Sequence, residues 1–349
     1  SRRWPRNWNQ NAFRMYHEKL PETKLNSTFP TLKVLGWLAV ILALITGAYL
    51  LGPQVEVDEA VKTPELPKNL NSYLWVTESQ YALRPGTEKK IVWSNPRAPQ
   101  ITPYSVVYLH GFSASRQEID PFCEQLVFEL RANLFLTRLA GHGRDAEAMA
   151  EPEVKDWLQD ALEAYAIGER LGRKVIVVGT STGATLALWL ALREEAKNLQ
   201  ALVLLSPNFS PRNKLAGLTA GPWGDQIMRL FVGTHREFMP ESPEHARGWT
   251  TRYRSEAIPT LMGLVKLVER LKLKKLTTPT FMAYSPNDKV VDVSRIEQRF
   301  AELGTLLKVL VPYDEPGDPS YHVLAGRILS PRNTEALLAD VTQFLRKLE

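Results

Sequence analysis

Cysteine is all but missing from this chain: Cys123 is the single one in 349 residues. It cannot form an intrachain disulfide, so the sequence neither requires nor excludes an oxidising compartment. Its neighbours in a helical run, Leu126, Val127 and Leu130, make core packing its expected role. No G-x-x-x-x-G-K-[ST] phosphate loop and no H-E-x-x-H pair occurs, which leaves a metal-dependent mechanism without support. Gly141 to Ala146 fits G-x-G-x-x-A after a strand-like run, but Pro152 intervenes before a helix is established, so the segment is a poor dinucleotide site. Charge of one sign is confined to the first 33 residues, which hold seven basic and two acidic side chains. The remaining 36 basic and 36 acidic residues balance, leaving no net positive charge for a nucleic-acid partner.

The most informative segment present is Gly179-Thr180-Ser181-Thr182-Gly183. The apolar run Lys174 to Val178 leads into it, and a helical run from Ala184 to Leu192 leaves it. A serine hydroxyl becomes a useful nucleophile when a sharp strand-to-helix turn thrusts it towards a base, and that turn demands small neighbours. Gly179, Gly183 and Ala184 meet the demand. Ser181 is therefore the candidate nucleophile.

A serine nucleophile needs a histidine to take its proton and a carboxylate to fix the imidazole's tautomer. Of six histidines (17, 110, 142, 235, 245 and 322), only His322 lies near the C-terminus, between the strand-like run Leu306 to Val311 and a final helix. The strand-like run Thr280 to Tyr284 is followed by Ser285-Pro286-Asn287-Asp288, which places Asp288 as the acid. The order 181, 288, 322 is serine, acid, histidine. Asp292 reads instead as a helix cap, and Asp314, Glu315 and Asp318 as a solvated Pro/Gly/Asp turn cluster. Two backbone N–H groups should receive the oxyanion. Thr182 supplies one, and Phe112, in the His110-Gly111-Phe112-Ser113 turn after strand-like Tyr104 to Leu109, supplies the other. His110 is expected to brace that loop.

These landmarks, with Gly141-His142-Gly143, Ser285 to Val291 and His322-Val323, resemble the serine α/β-hydrolases of the carboxylesterase and monoacylglycerol-lipase type from about residue 73 to 349. The resemblance implies an α/β-hydrolase fold, acyl-ester or lipid substrates and no cofactor. Thr180 and Ala184 depart from the residues such relatives often carry around the elbow, and the loop from Pro312 to Tyr321 is longer than usual. Alternating strand and helix patterns, with helices over 153–171, 184–195 and 333–348, independently favour one large, mainly parallel sheet covered on both faces. Between the strand at 201–205 and the strand before Asp288 lies an excursion over about 210–276, too long for a structureless loop. It resembles an inserted lid. Its apolar stripe of Leu261, Leu264, Val265, Val268 and Leu271 equally fits a core-facing helix.

Residues 34–51 are eighteen in a row without a charge, long enough to cross a bilayer as an N-terminal transmembrane helix, with Trp37 and Tyr49 towards its two ends. A cleavable signal peptide would carry an unusually long leader and lacks a clear A-x-A site. The expected organisation is a basic cytoplasmic leader (1–33), a membrane anchor (34–51), a Pro-rich tether (52–72) and the hydrolase (73–349). By the positive-inside rule the hydrolase lies across the bilayer from the leader, in the periplasm if the source is bacterial. The sequence thus points to a membrane-anchored serine ester hydrolase. A thioesterase, peptidase or C–C bond hydrolase on the same scaffold, or a silent membrane-tethered binding protein, are its alternatives.

Overall fold

Strands covered on both faces are apolar at consecutive positions rather than alternate ones. Val175 to Val178 shows this pattern, with all four side chains buried. In the computed structural model, which describes residues 29–348, this run is the centre of a seven-stranded sheet.

In chain order the elements are α1 (Phe29–Leu50), α2 (Leu70–Glu78), β1 (Lys90–Val92), β2 (Thr102–Leu109), α3 (Phe122–Leu130), β3 (Asn133–Leu136), α4 (Val154–Leu171), β4 (Gly172–Thr180), α5 (Thr182–Ala191) and β5 (Leu199–Leu205). They continue with α6 (Gly224–Phe231), β6 (His235–Glu237), α7 (Pro243–Gly248), β7 (Arg252–Arg254), α8 (Ala257–Glu269), β8 (Thr280–Tyr284), α9 (Val293–Ala301), β9 (Lys308–Pro312) and α10 (Thr334–Arg346). The large sheet has the order β1-β3-β2-β4-β5-β8-β9. Only β1 is antiparallel to its neighbour; the other pairs are parallel.

Side chains of alternate residues along each strand enter different cores. Val107, Val177 and Leu204 join α4, α5 and α8 on one face, while Val106, Val178 and Val203 join α3 and α10 on the other. The register sets Leu109 beside Gly179 and Thr180 beside Leu205, so the carboxyl ends of β2, β4 and β5 finish level. Loops leaving those ends form the usual ligand edge of an open parallel sheet.

The glycines of the elbow have specific neighbours. A Cβ on Gly179 would lie 2.6 Å from the backbone of Gly183 and Ala184, and one on Gly183 would lie 1.9 Å from the Leu109 carbonyl oxygen. Gly183 thus permits α5 to pass the end of β2, the neighbouring strand. Because a backbone carbonyl cannot rotate aside like a side-chain tip, Gly183→Ala should cost about 3 kcal/mol of stability. Denaturant unfolding checks this, with a lowered midpoint at an unchanged slope as the expected result.

The excursion between β5 and β8 contains α6, α7, α8 and the antiparallel hairpin β6–β7. Its predicted apolar stripe falls on α8, where Leu261, Leu264, Val265 and Val268 are buried in the core shared with α4 and α5.

The chain divides at Leu51/Gly52 into two compact units. In the first, α1 carries no charge from Val34 to Leu50, and Leu35, Trp37, Leu42 and Leu44 are exposed. Its window Lys33–Leu50 has a mean hydropathy of 1.9 and is long enough to cross a membrane, a property that N-terminal signal sequences share. Of the basic leader, residues 1–28 lie outside the described residues. In the second unit, of residues 52–72, read from sequence as a tether, 52–69 follow an irregular path along the domain and the rest begin α2. Val55, Val57, Val61 and Leu66 pack on the core, the Pro53 carbonyl accepts the Trp223 N–H at 2.7 Å, and Glu59 accepts the Trp189 indole N–H at 3.0 Å.

Candidate active site

Ser181 sits between β4 and α5 with φ +51° and ψ −111°, a conformation that side-chain-bearing residues rarely adopt and that is characteristic of a strained turn. Its N–H donates to the Leu205 carbonyl at 2.8 Å, and its carbonyl accepts the N–H groups of Thr185 and Asn208. The turn is thereby tied to β5 and α5, and the serine is held at the sheet's carboxyl edge.

Asp288 and His322, 34 positions apart, meet at 2.7 Å between Oδ2 and Nδ1. The other oxygen of Asp288 accepts the N–H groups of Val290 at 2.7 Å and Val291 at 3.0 Å. Both carboxylate oxygens are thus committed, and Asp288 is fully buried. Burial disfavours the His322 imidazolium, but the Asp288 charge and hydrogen bond outweigh it and raise the histidine above its ordinary value.

Ser181, His322 and Phe112 line one cavity of about 490 Å³. Tyr253, Ile258, Leu261 and Met262 from the excursion contribute apolar wall, and Trp249 contributes aromatic wall. Arg236 and Lys289 also line it. The Asn208 amide oxygen, beside the elbow, is buried without a protein partner among the described residues.

The His110-Gly111-Phe112 turn is braced by two neutral histidines. His110 Nδ1 donates to the Gly111 carbonyl at 2.9 Å while Nε2 accepts the Leu139 N–H at 3.1 Å. His142 repeats the arrangement, donating to the Ala140 carbonyl and accepting the Ser113 N–H at 3.1 Å. Burial, with the neighbouring His142, pushes His110 well below the ordinary histidine range, and burial takes His142 down to about 4. His110 therefore has the bracing geometry expected of it. The Gly141-His142-Gly143 segment forms a turn rather than a helix start, and His142 fastens that turn to the loop carrying Phe112.

Asp292 caps α9, accepting the Ser294 N–H at 3.1 Å. Asp318 departs from expectation: it is buried, not solvated. Its side chain accepts the N–H groups of Ser320, His322 and Val323 at 3.1, 3.0 and 2.9 Å. The long loop before His322 is folded around this carboxylate, which fixes the backbone of the histidine while Asp288 fixes its ring. An Asp accepting from the residue two positions on is a recognisable turn signal, but its reach to His322 depends on how the loop closes. Ser206 adds a further tie, its hydroxyl donating to the His322 carbonyl at 2.7 Å.

A mainly parallel sheet, a strained serine after its central strand and a buried Asp–His pair at the same edge define an α/β-hydrolase. The family model described as serine aminopeptidase, S33, matches residues 102–317, and the chain belongs to that family. It is 25% identical over 224 residues to a thermostable monoacylglycerol lipase of Bacillus sp. (strain H-257), across 63% of this chain and 83% of that protein. Among solved structures it resembles a metagenome-derived lipolytic enzyme of the LipS and LipT study, with a TM-score of 0.60, 20% identity and coverage of 76% and 99% of the two chains. It also resembles a soluble variant of monoglyceride lipase from Saccharomyces cerevisiae, with a TM-score of 0.55, 13% identity and coverage of 85% and 99%. At these identities the structures testify to the fold.

Proposed function

We propose that this chain is a membrane-anchored serine hydrolase that cleaves carboxylic esters with lipid-derived or other acyl chains. The observation that carries the reading is His322, paired with buried Asp288, opening together with strained Ser181 on one largely apolar cavity. The lipolytic relatives support the ester class.

Ser181 Oγ attacks the ester carbonyl carbon as His322 Nε2 takes its proton; Asp288 holds Nδ1–H and stabilises the imidazolium. The carbonyl oxygen becomes an oxyanion and is received by the N–H groups of Phe112 and Thr182. Collapse breaks the bond to the alcohol oxygen, which leaves with the proton from His322. Water then attacks the acyl-serine with the same base and releases the carboxylic acid. The excursion between β5 and β8 serves as a lid, since Ile258, Leu261 and Met262 wall the cavity. The α1 helix serves as the anchor. The basic leader stays in the cytosol and the hydrolase acts on the far side of the bilayer, the periplasm in a bacterium.

The test is the full-length chain in detergent, assayed on glycerol and p-nitrophenyl esters of graded acyl length, on matched thioesters and on aminoacyl amides, with a fluorophosphonate probe in parallel. Ester turnover and probe labelling that both vanish in Ser181→Ala are expected. Turnover of the aminoacyl amides alone would reassign the enzyme to the peptidase reading that its family description names.

A further inference from the structure

Gly111 is held from both sides. Its N–H donates to Glu118 Oε2 at 2.7 Å, and its carbonyl accepts His110 Nδ1–H at 2.9 Å and the Ala114 N–H at 3.2 Å. In a trans peptide the carbonyl and the following N–H point in opposite directions. Restraining the Gly111 carbonyl therefore aims the Phe112 N–H. Glu118 lies flat against this residue: a Cβ on Gly111 would meet Glu118 Oε1 at 2.6 Å.

The same Glu118 oxygen accepts the Tyr108 hydroxyl at 2.6 Å, and that hydroxyl lies 3.2 Å from Thr180 Oγ1. Thr180 immediately precedes Ser181, and Thr182 follows it. One carboxylate oxygen thus connects the loop carrying Phe112 with the end of the strand carrying the elbow. Sheet hydrogen bonds fix β2 and β4 to each other only as far as Leu109 and Gly179; the link through Glu118 and Tyr108 continues beyond them. It also gives Thr180, which departs from the residues common at this place in the elbow, a hydroxyl contact that an aliphatic side chain lacks.

We propose that Glu118 is a positioning residue that sets the direction and spacing of the two oxyanion donors, the N–H groups of Phe112 and Thr182. The proposal rests on the oxyanion assignment made under the proposed function. Glu118 is buried at a cost: burial raises its carboxyl to about 7, against the lowering effect of the Tyr108 and Gly111 hydrogen bonds. A buried acid with two short donor contacts is a strong local restraint, and removing it leaves the Gly111 N–H unpaired and the Tyr108 hydroxyl with only its longer contact to Thr180.

The test uses the full-length chain in detergent with Glu118→Gln, Glu118→Ala and Tyr108→Phe. Loss of one oxyanion donor outright costs about 10²- to 10³-fold in kcat. Misdirection should cost less: about tenfold in Glu118→Gln, about a hundredfold in Glu118→Ala and about fivefold in Tyr108→Phe, with KM held within about twofold. Affinity for an alkyl boronic acid, whose serine adduct is tetrahedral, should fall by the same factor as kcat/KM. A structural role alone lowers the folded fraction, yet leaves kcat per probe-labelled site and boronate affinity unchanged. That result would overturn the proposal, and so would a loss confined to KM. Tyr108→Phe keeps the ring and removes one hydroxyl, so it reports even if the Glu118 variants do not fold. Turnover that survives Ser181→Ala would instead remove the underlying oxyanion assignment; wild-type kcat in these variants with Ser181 still required removes this inference alone.

Discussion

On the proposed mechanism Ser181→Ala should lower kcat on a carboxylic ester by roughly 10⁵- to 10⁶-fold, the scale on which a serine hydrolase loses its nucleophile. The alanine fits: Ser181 is buried at a turn already built for a side chain with positive φ, so the folded domain and its melting transition should survive. Some rate above that of water should remain, because in that mechanism the cavity still binds the ester and the Phe112 and Thr182 N–H groups still receive the oxyanion. Fluorophosphonate labelling of the intact chain followed by peptide mapping is the accompanying measurement. Label on another residue, or turnover within tenfold of wild type, refutes the assignment of the nucleophile.

Asp288→Asn should be nearly as damaging, about 10⁴-fold in kcat, for a reason visible in the hydrogen bonds. Asp288 Oδ1 accepts two backbone N–H groups while Oδ2 faces His322 Nδ1. An asparagine must keep its single oxygen towards the two N–H groups, which turns its NH₂ towards Nδ1. That nitrogen then carries the lone pair, the proton moves to Nε2, and the base can no longer accept from Ser181. The pH profile moves as well. As the proposed base His322 would act when neutral, and its value is raised in the wild-type protein, so kcat/KM should rise with pH through a midpoint above that of an ordinary histidine. Without the Asp288 charge and hydrogen bond, the largest raising influences on His322 are lost and burial is opposed only by Asp318 and Glu118, so the acid limb of the residual activity should shift to lower pH than in the wild type. An unshifted limb would assign that titration to another group.

The sheet and the serine turn were legible because their causes are local. Consecutive apolar residues mark the buried strands, and glycines on both sides of Ser181 mark the crossing of α5 past its neighbours. Element ends moved where the turn itself starts a helix: α5 begins at Thr182 rather than Ala184. Asp288 and His322 were legible by order and by the strands before them, although no local pattern fixes a contact across 34 residues. Asp318 and Glu118 were not. Each is a carboxylate whose partners are backbone N–H groups or a hydroxyl brought near by loop closure, and in the sequence each resembles an ordinary polar residue in a turn. The path of residues 52–69 was hidden for a related reason, since its contacts are scattered valines, Leu66, Glu59 and several backbone carbonyls, without periodicity.

That path changes where the folded unit begins. A chain shortened to residue 73 would discard Val55, Val57, Val61 and Leu66 and uncover the core surface on which they rest. It would also leave the Trp189 indole without Glu59, and the Trp223 N–H without the Pro53 carbonyl. A Cβ on Gly263 would collide with Val55 at 2.6 Å, which measures how closely the segment lies on α8. Trp189 belongs to the helix that follows the serine turn, and Trp223 to the excursion over the cavity. The first residues after the apolar helix are therefore part of the folded domain that carries the candidate site, and that domain begins at Gly52 rather than at residue 73.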